Sequence, residues 1–253
     1  MLSDMASGVL GIALLVVLFA GCVKGAVGFG MPMILISGLG TLLPAETAIA
    51  ALILPTVLTN FSQALSTGIR DALATFRRYW RFNLVLFVTI FFSAQLVRVM
   101  PQALLFSLLG GSIVFFTLVQ LAGWHPRIGP LAARIVEIPA AMIAGFFGGL
   151  TGVWGPPTIL YLTALDVPKA DHVRAQGVVY FAGSILLLSA HLKSGVLNGQ
   201  TLPLSALLVV PALVGQWTGR RFHDSIDQVV FRRLTLIILT IAGLNLLRRG
   251  LIG

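Results

Sequence analysis

Charged side chains are missing from five long stretches of the chain, 5–23, 47–69, 99–126, 138–165 and 194–219, where apolar residues dominate. A helix needs about 20 mostly apolar residues to cross the hydrocarbon core of a bilayer, at roughly 1.5 Å of rise per residue. Eight apolar segments are long enough, at about 6–27, 45–68, 82–100, 102–122, 135–152, 172–194, 201–219 and 229–248. Two shorter ones, about 31–42 and 156–166, are bounded by glycine and proline and cannot span alone. Such lengths between breakers predict re-entrant segments or the halves of broken helices. The pattern therefore predicts an all-α polytopic membrane protein lying in a lipid bilayer.

The pattern also repeats. Gly21, Gly25, Gly28 and Pro32 recur 124 residues later as Gly145, Gly149, Gly152 and Pro156. Four matches at one offset divide the chain into a first transmembrane repeat (1–122), a connection (123–134) and a second repeat (135–253). The connection carries Trp124, Pro126, Gly129 and Pro130, a composition that favours turns. Each repeat has about four spanning helices and one Gly/Pro-broken segment. If the short segments enter and leave on one face, there are eight crossings and the halves run parallel. If they complete a crossing, there are ten and the halves are inverted. Charge counting fits either arrangement.

Composition agrees with the pattern. Apolar residues make up 57% of the 253 and charged residues 10%, against about a quarter in soluble domains. The net charge of +9 lies at segment ends: Arg70, Arg77, Arg78 and Arg81 in one connection, Arg220, Arg221, Arg232 and Arg233 in another, and Arg248 and Arg249 after the last apolar segment. Basic residues so placed anchor a membrane protein to the cytoplasmic side and set its orientation. A nucleic-acid partner is not expected, because no soluble face carries the charge. Cys22 is the single cysteine, so neither an internal disulfide nor a cysteine-rich metal site is expected. The start of the chain lacks a basic n-region and a small-residue cleavage site, and reads as a first spanning helix.

The candidate chemistry sits in the repeated motif. Its first copy runs from Gly21 through Lys24, Gly25, Gly28 and Gly30 to Pro32, its second from Gly145 through Gly152, Trp154 and Gly155 to Pro156 and Pro157. Glycine lets backbone approach a ligand closely, and proline suits the first turn of a helix. Helices starting at Pro32 and Pro156 would present free N–H groups and a partial positive charge, a site for an anion near the midplane. Small residues at spacing four also let helices pack tightly, which is the plainer reading of any single glycine.

The duplicated motif, the stretch Gly-Pro-Pro-x-x-Leu-Tyr-Leu at 155–162 and the paired four-span halves resemble the sulfite exporter TauE/SafE family, also called the 4-toluene sulfonate uptake permease family. The resemblance covers nearly the whole chain. It implies a transporter of small sulfur-containing anions (sulfite, sulfoacetate, 4-toluene sulfonate or related sulfonates) across the bacterial inner membrane. Direction and substrate vary within the family. Where the family usually has a further glycine, this chain has Trp154, which would narrow the site or stack on an aromatic substrate; that favours an aryl sulfonate.

Two polar stripes add candidates for lining the pathway. Thr56, Asn60, Gln63 and Thr67 share one helical face, as do Gln176, Tyr180, Ser184 and His191. Amide, hydroxyl and phenol groups suit the three acceptor oxygens of a sulfonate, and the same groups also bond helices together. Lys24, isolated among apolar residues, either faces an anion or snorkels to the interface. The substrate-site candidates are therefore Lys24, Gly28, Gly30, Pro32, Asn60, Gln63, Gly152, Trp154, Gly155, Pro156, Gln176 and Tyr180. Gln95 and Gln216 are weaker candidates. Arg98 reads as an anchor, Arg174 as a partner of Asp171, and Glu137 as the one acid placed to be drawn into a span. No His-Glu-x-x-His and no P-loop occur, and His125, His172, His191 and His223 do not cluster, so an enzyme is not expected. No cofactor is expected. A coupling ion, proton or sodium, and the oligomeric state stay open, as do a passive anion channel and a permease subunit without its own substrate site.

Overall fold

Glycine and proline set the element boundaries. A computed structural model describes residues 7–66, 68–123, 128–167, 169–222 and 227–252. Its helices are α1 (Ser7–Val27), α2 (Met31–Leu42), α3 (Ala45–Ala64), α4 (Ile69–Arg78), α5 (Trp80–Leu96) and α6 (Gln102–Leu121). They continue with α7 (Pro130–Thr151), α8 (Gly155–Ala164), α9 (Lys169–Ser194), α10 (Leu202–Leu207), α11 (Val209–Phe222) and α12 (Gln228–Ile252). Among the described residues seven helical stretches are long and apolar enough to cross a membrane, with α10 and α11 together forming one of them. The α4–α5 pair, bent by 82°, raises the number to eight. The fold is thus the all-helical, multi-pass architecture that the apolar pattern predicts, with α2 and α8 at the two short Gly/Pro-bounded segments. Thr67, His125 and His223 lie outside the described residues.

Helix α4 is amphipathic, with Ile69 and Leu73 exposed on one side and Arg70, Arg77 and Arg78 among its polar residues. Its sharp bend away from α5 suits a helix lying along the bilayer surface.

The closest helix contacts are made by glycine. A Cβ added at Gly25 would collide with the Gln216 carbonyl oxygen, and one added at Gly219 with that of Cys22. Only a residue without a side chain lets α1 and α11 approach this closely. Gly145 and Gly149 seat α7 on Leu86 and Ile90 of α5 in the same way. The most extensive contacts are α1 with α11, α5 with α7, α3 with α9 and α6 with α12.

The register of these contacts gives every helix a direction. Gly21 meets Ala212 and Gly25 meets Gln216, so α1 and α11 run parallel. The Ser205 hydroxyl donates to the Ala51 carbonyl and the Gln216 amide to that of Thr59, so α3 runs parallel to α11 as well. Since α1 and α3 point the same way, α2 runs back between them. On the other side α5 is parallel to α7 and to α9, where Gln95 donates to the Ala190 carbonyl at 3.3 Å. Helix α8 runs back between α7 and α9. Asn60 meets Tyr180 and Ala64 meets Gly177, which makes α3 and α9 antiparallel. Thr240 bonds Thr117 at 2.8 Å and Gly250 meets Ser107, so α12 and α6 are antiparallel too.

These directions gather Arg70, Arg77, Arg78, Arg81, Arg134, Arg174, Arg220, Arg221, Arg232 and Arg233 at one end of the bundle. Arg98, Lys193, Arg248 and Arg249 lie at the other. The expectation that Arg248 and Arg249 share a face with Arg220 and Arg221 is therefore corrected. At about 1.5 Å per residue, α12 carries the chain across the whole bundle before they occur. Arg249 instead donates to the Gly40 carbonyl in the last turn of α2.

Candidate functional site

Both breaks turn on left-handed glycine and restart a helix at proline. After α1, Gly28 (φ +86°) and Gly30 (φ +91°) take left-handed backbone, and α2 starts with Pro32 in its first turn. After α7, Gly152 (φ +72°) turns the chain and α8 starts with Pro156 and Pro157. Residues with a Cβ rarely adopt such φ values, which is why glycine stands at these turns. Neither α2 nor α8 has a side-chain cap at its N-terminus. The two starts meet, since a Cβ on Gly152 would lie 3.7 Å from Pro32 Cβ.

Between them is a cavity of about 20 Å³. The first break contributes Phe29, Gly30, Pro32 and Met33, the second Gly152 through Pro156, and Lys24, Asn60 and Tyr180 close the sides. That volume holds about one water molecule. Lys24 is 3% exposed, and its Nζ donates to Thr59 Oγ1 at 2.9 Å and to Asn60 Oδ1. The Asn60 amide donates to the Tyr180 carbonyl at 3.0 Å, and the Tyr180 hydroxyl to the Gly155 carbonyl at 3.3 Å. One polar chain thus ties α1, α3, α9 and α8 together around the cavity. Among the described residues no carboxylate forms an ion pair with Lys24.

Of the twelve candidates, nine line this cavity and three do not. Gly28 belongs to the turn itself, and its carbonyl accepts from Gln63 Nε2 at 3.1 Å, so Gln63 braces the first break. The Gln176 amide is 2.8 Å from His172 Nδ1. Trp154 is buried, with its ring packed over Gly148 and reaching Gly183.

Other polar residues are engaged in packing. Ser184 donates to the Phe181 carbonyl, and fully buried His191 bonds the Gly149 carbonyl at 3.0 Å. Glu137 is 3.9 Å from Arg81, and Arg98 pairs with Glu46 at 3.6 Å. Arg174 contacts Asp171 at 3.5 Å and also Asp71 at 3.8 Å, which docks α4 onto α9. No group of His, Cys, Asp or Glu suited to a metal ion occurs among the described residues.

Sequence reasoning missed Thr59 as a partner of Lys24, and Phe29, Met33 and Val153 as cavity walls. It also took Arg232 only as an anchor, although its guanidinium lies 5.6 Å from the Phe29 ring centre and donates to Gln120 at 3.2 Å. Asymmetric position in an apolar helix was the one available signal for Thr59, and many packing threonines share it.

Membrane-length helices arranged around two broken helices, with a buried cation where the breaks meet, define a multi-pass membrane protein of the transporter class. The family model described as sulfite exporter TauE/SafE matches residues 13–246, and the chain belongs to that family. Membership makes it a transporter of sulfite-type sulfur anions. Comparison with curated proteins and with solved structures gave no match.

Proposed function

We propose that the protein is a secondary transporter that carries a small sulfur oxyanion across the bacterial inner membrane by alternating access, binding it between the two helix breaks. The observation that carries this reading is Lys24, buried beside the cavity with neutral partners only among the described residues. A buried cation without a counter-charge costs several kcal/mol, and an anion in the cavity would supply that charge. The uncapped starts of α2 and α8 add free N–H groups and positive dipole ends aimed at the same space. A closed cavity suits a carrier better than an open pore.

The helix directions favour two inverted halves, 1–122 and 135–253. Helices α1 and α11 pack as α7 and α5 do, and each pair is the other's counterpart 124 residues along the chain. The arginine-rich end then faces the cytoplasm. The cavity is far below the roughly 300 Å³ at the low end of pockets for drug-sized ligands. An aryl group would need Trp154 to swing away, so a compact oxyanion such as sulfite is the first choice of substrate. Sulfoacetate and 4-toluene sulfonate come after it.

Calorimetric titration of the detergent-purified protein with sulfite, sulfoacetate, 4-toluene sulfonate, sulfate and benzoate tests the assignment. Sulfite is expected to bind at least tenfold more tightly than sulfate or benzoate. Equal affinities, or heat from none of the five, would contradict it.

A further inference from the structure

A second cavity, of about 350 Å³, opens at the arginine-rich end between the α4–α5 elbow, the start of α7 and the end of α8. Arg78, Tyr79, Arg134 and Tyr161 line it together with Glu137 and Asp166. Arg81 lies beside Glu137 at 3.9 Å and offsets its charge. Arg78 and Arg134 then outnumber the remaining acid, Asp166, and leave an excess of positive charge facing a space large enough for a hydrated anion.

This vestibule is close to the midmembrane cavity. Both touch α8, the vestibule at Tyr161 and the midmembrane cavity at Gly155 and Pro156, and Tyr161 lies about 9 Å along the helix from Gly155. Tyr161, in the vestibule wall, carries the ring of Phe82 stacked on it at 4.9 Å between centres and 12° between planes. Farther in, Leu86, Ile90 and the Trp154 indole converge on Gly183.

Asn83 follows Phe82 on α5. On the buried face of α5 it stands one turn inward from Tyr79 and one turn outward from Leu86. It is 0% exposed, and neither its amide nitrogen nor its carbonyl oxygen has a hydrogen-bond partner. Unpaired buried polar atoms are rare, because each forfeits its bond to water without replacement. Here both ends of one amide are unpaired, one residue after the ring that stacks on Tyr161 in the vestibule wall.

We propose that Asn83 is a substrate-contacting residue on the cytoplasmic half of the pathway. As the Phe82–Tyr161 stack parts, the Asn83 amide donates to an oxygen of the passing anion. Arg78 and Arg134 hold that anion in the vestibule before release or after capture. The ligand class is a small sulfur oxyanion, and the proposal rests on the transport reading above.

The test is the variant Asn83→Leu in liposomes, with its melting temperature and its sulfite affinity measured in detergent. Replacing an unpaired amide by an apolar side chain of similar size removes the desolvation penalty. The melting temperature is therefore expected to hold or rise and affinity at the midmembrane cavity to stay within twofold, while the transport rate falls at least tenfold. Should Asn83→Leu fail to fold, Asn83→Ser and Asn83→Ala replace it; Ser, which keeps a donor, is expected to transport at least fivefold faster than Ala. Wild-type transport rates in Asn83→Leu, or equal rates in the Ser and Ala variants, overturn the proposal. Wild-type protein that moves no sulfur anion overturns the transport reading and this one with it.

Discussion

Lys24 lies among the buried apolar side chains of α1, held by a hydroxyl and an amide oxygen that offer hydrogen bonds but no charge. If the charge serves an anion, the folded protein without ligand is no better for having it. Lys24→Met should therefore leave the melting temperature equal or higher, while sulfite binding weakens at least tenfold, about 1.4 kcal/mol. A lower melting temperature with unchanged binding would make the lysine structural. Lys24, Asn60 and Tyr180 were legible in the sequence because a polar group in an apolar helix needs a reason. Gln63 and Gln176 share faces with them but have long, flexible side chains, and these reach a backbone carbonyl and a histidine instead. Asn83 gave no such signal. It stands two residues after Arg81, where an amide reads as interfacial, and only packing by neighbouring helices buries it.

Helix boundaries were the most legible elements, because the residues that end them act locally. The short segment expected at 31–42 is α2, and the one expected at about 156–166 is α8, Gly155–Ala164. Glycine turns and first-turn prolines produce both. Helix direction was legible in the charges, and the reading that they fit either arrangement is corrected: eight crossings put the 70–81 and 220–233 connections on opposite faces, whereas ten put both on one face. The glycine contacts agree: α1 and α3 both run parallel to α11, so α2, about 18 Å long, must carry the chain back. One consequence can be checked in cells. With the arginine-rich end in the cytoplasm, α12 ends on the far side, so an alkaline phosphatase fused after residue 253 should be active. Its disulfides form only in an oxidising compartment. A fluorescent, phosphatase-negative C-terminal fusion would favour eight crossings.

Across the whole molecule, the two breaks share a left-handed glycine, Gly28 and Gly152, and differ beyond it: Gly30 has φ +91° where its counterpart Trp154 has φ −89°. Gly148 stands 124 residues after Lys24, and the Trp154 ring lies over it, whereas Gly30 stands 124 residues before Trp154. One break thus brings the charge and the other an aromatic wall to the same cavity. The cavity they enclose is small and closed, and the larger vestibule lies on the arginine-rich side. Such an arrangement fits a carrier that releases or collects its anion at that face. The family was legible from the motifs alone. The closure of the site was not, because it depends on four helices brought together by contacts far apart in the chain. Counterflow tests the central claim most directly: purified protein in liposomes loaded with unlabelled sulfite, with labelled sulfite added outside. The account predicts rapid accumulation of label that unlabelled sulfite competes away, that sulfate does not, and that Lys24→Met reduces at least tenfold. Label entering no faster than into protein-free liposomes, or entering equally with Lys24→Met, would contradict it.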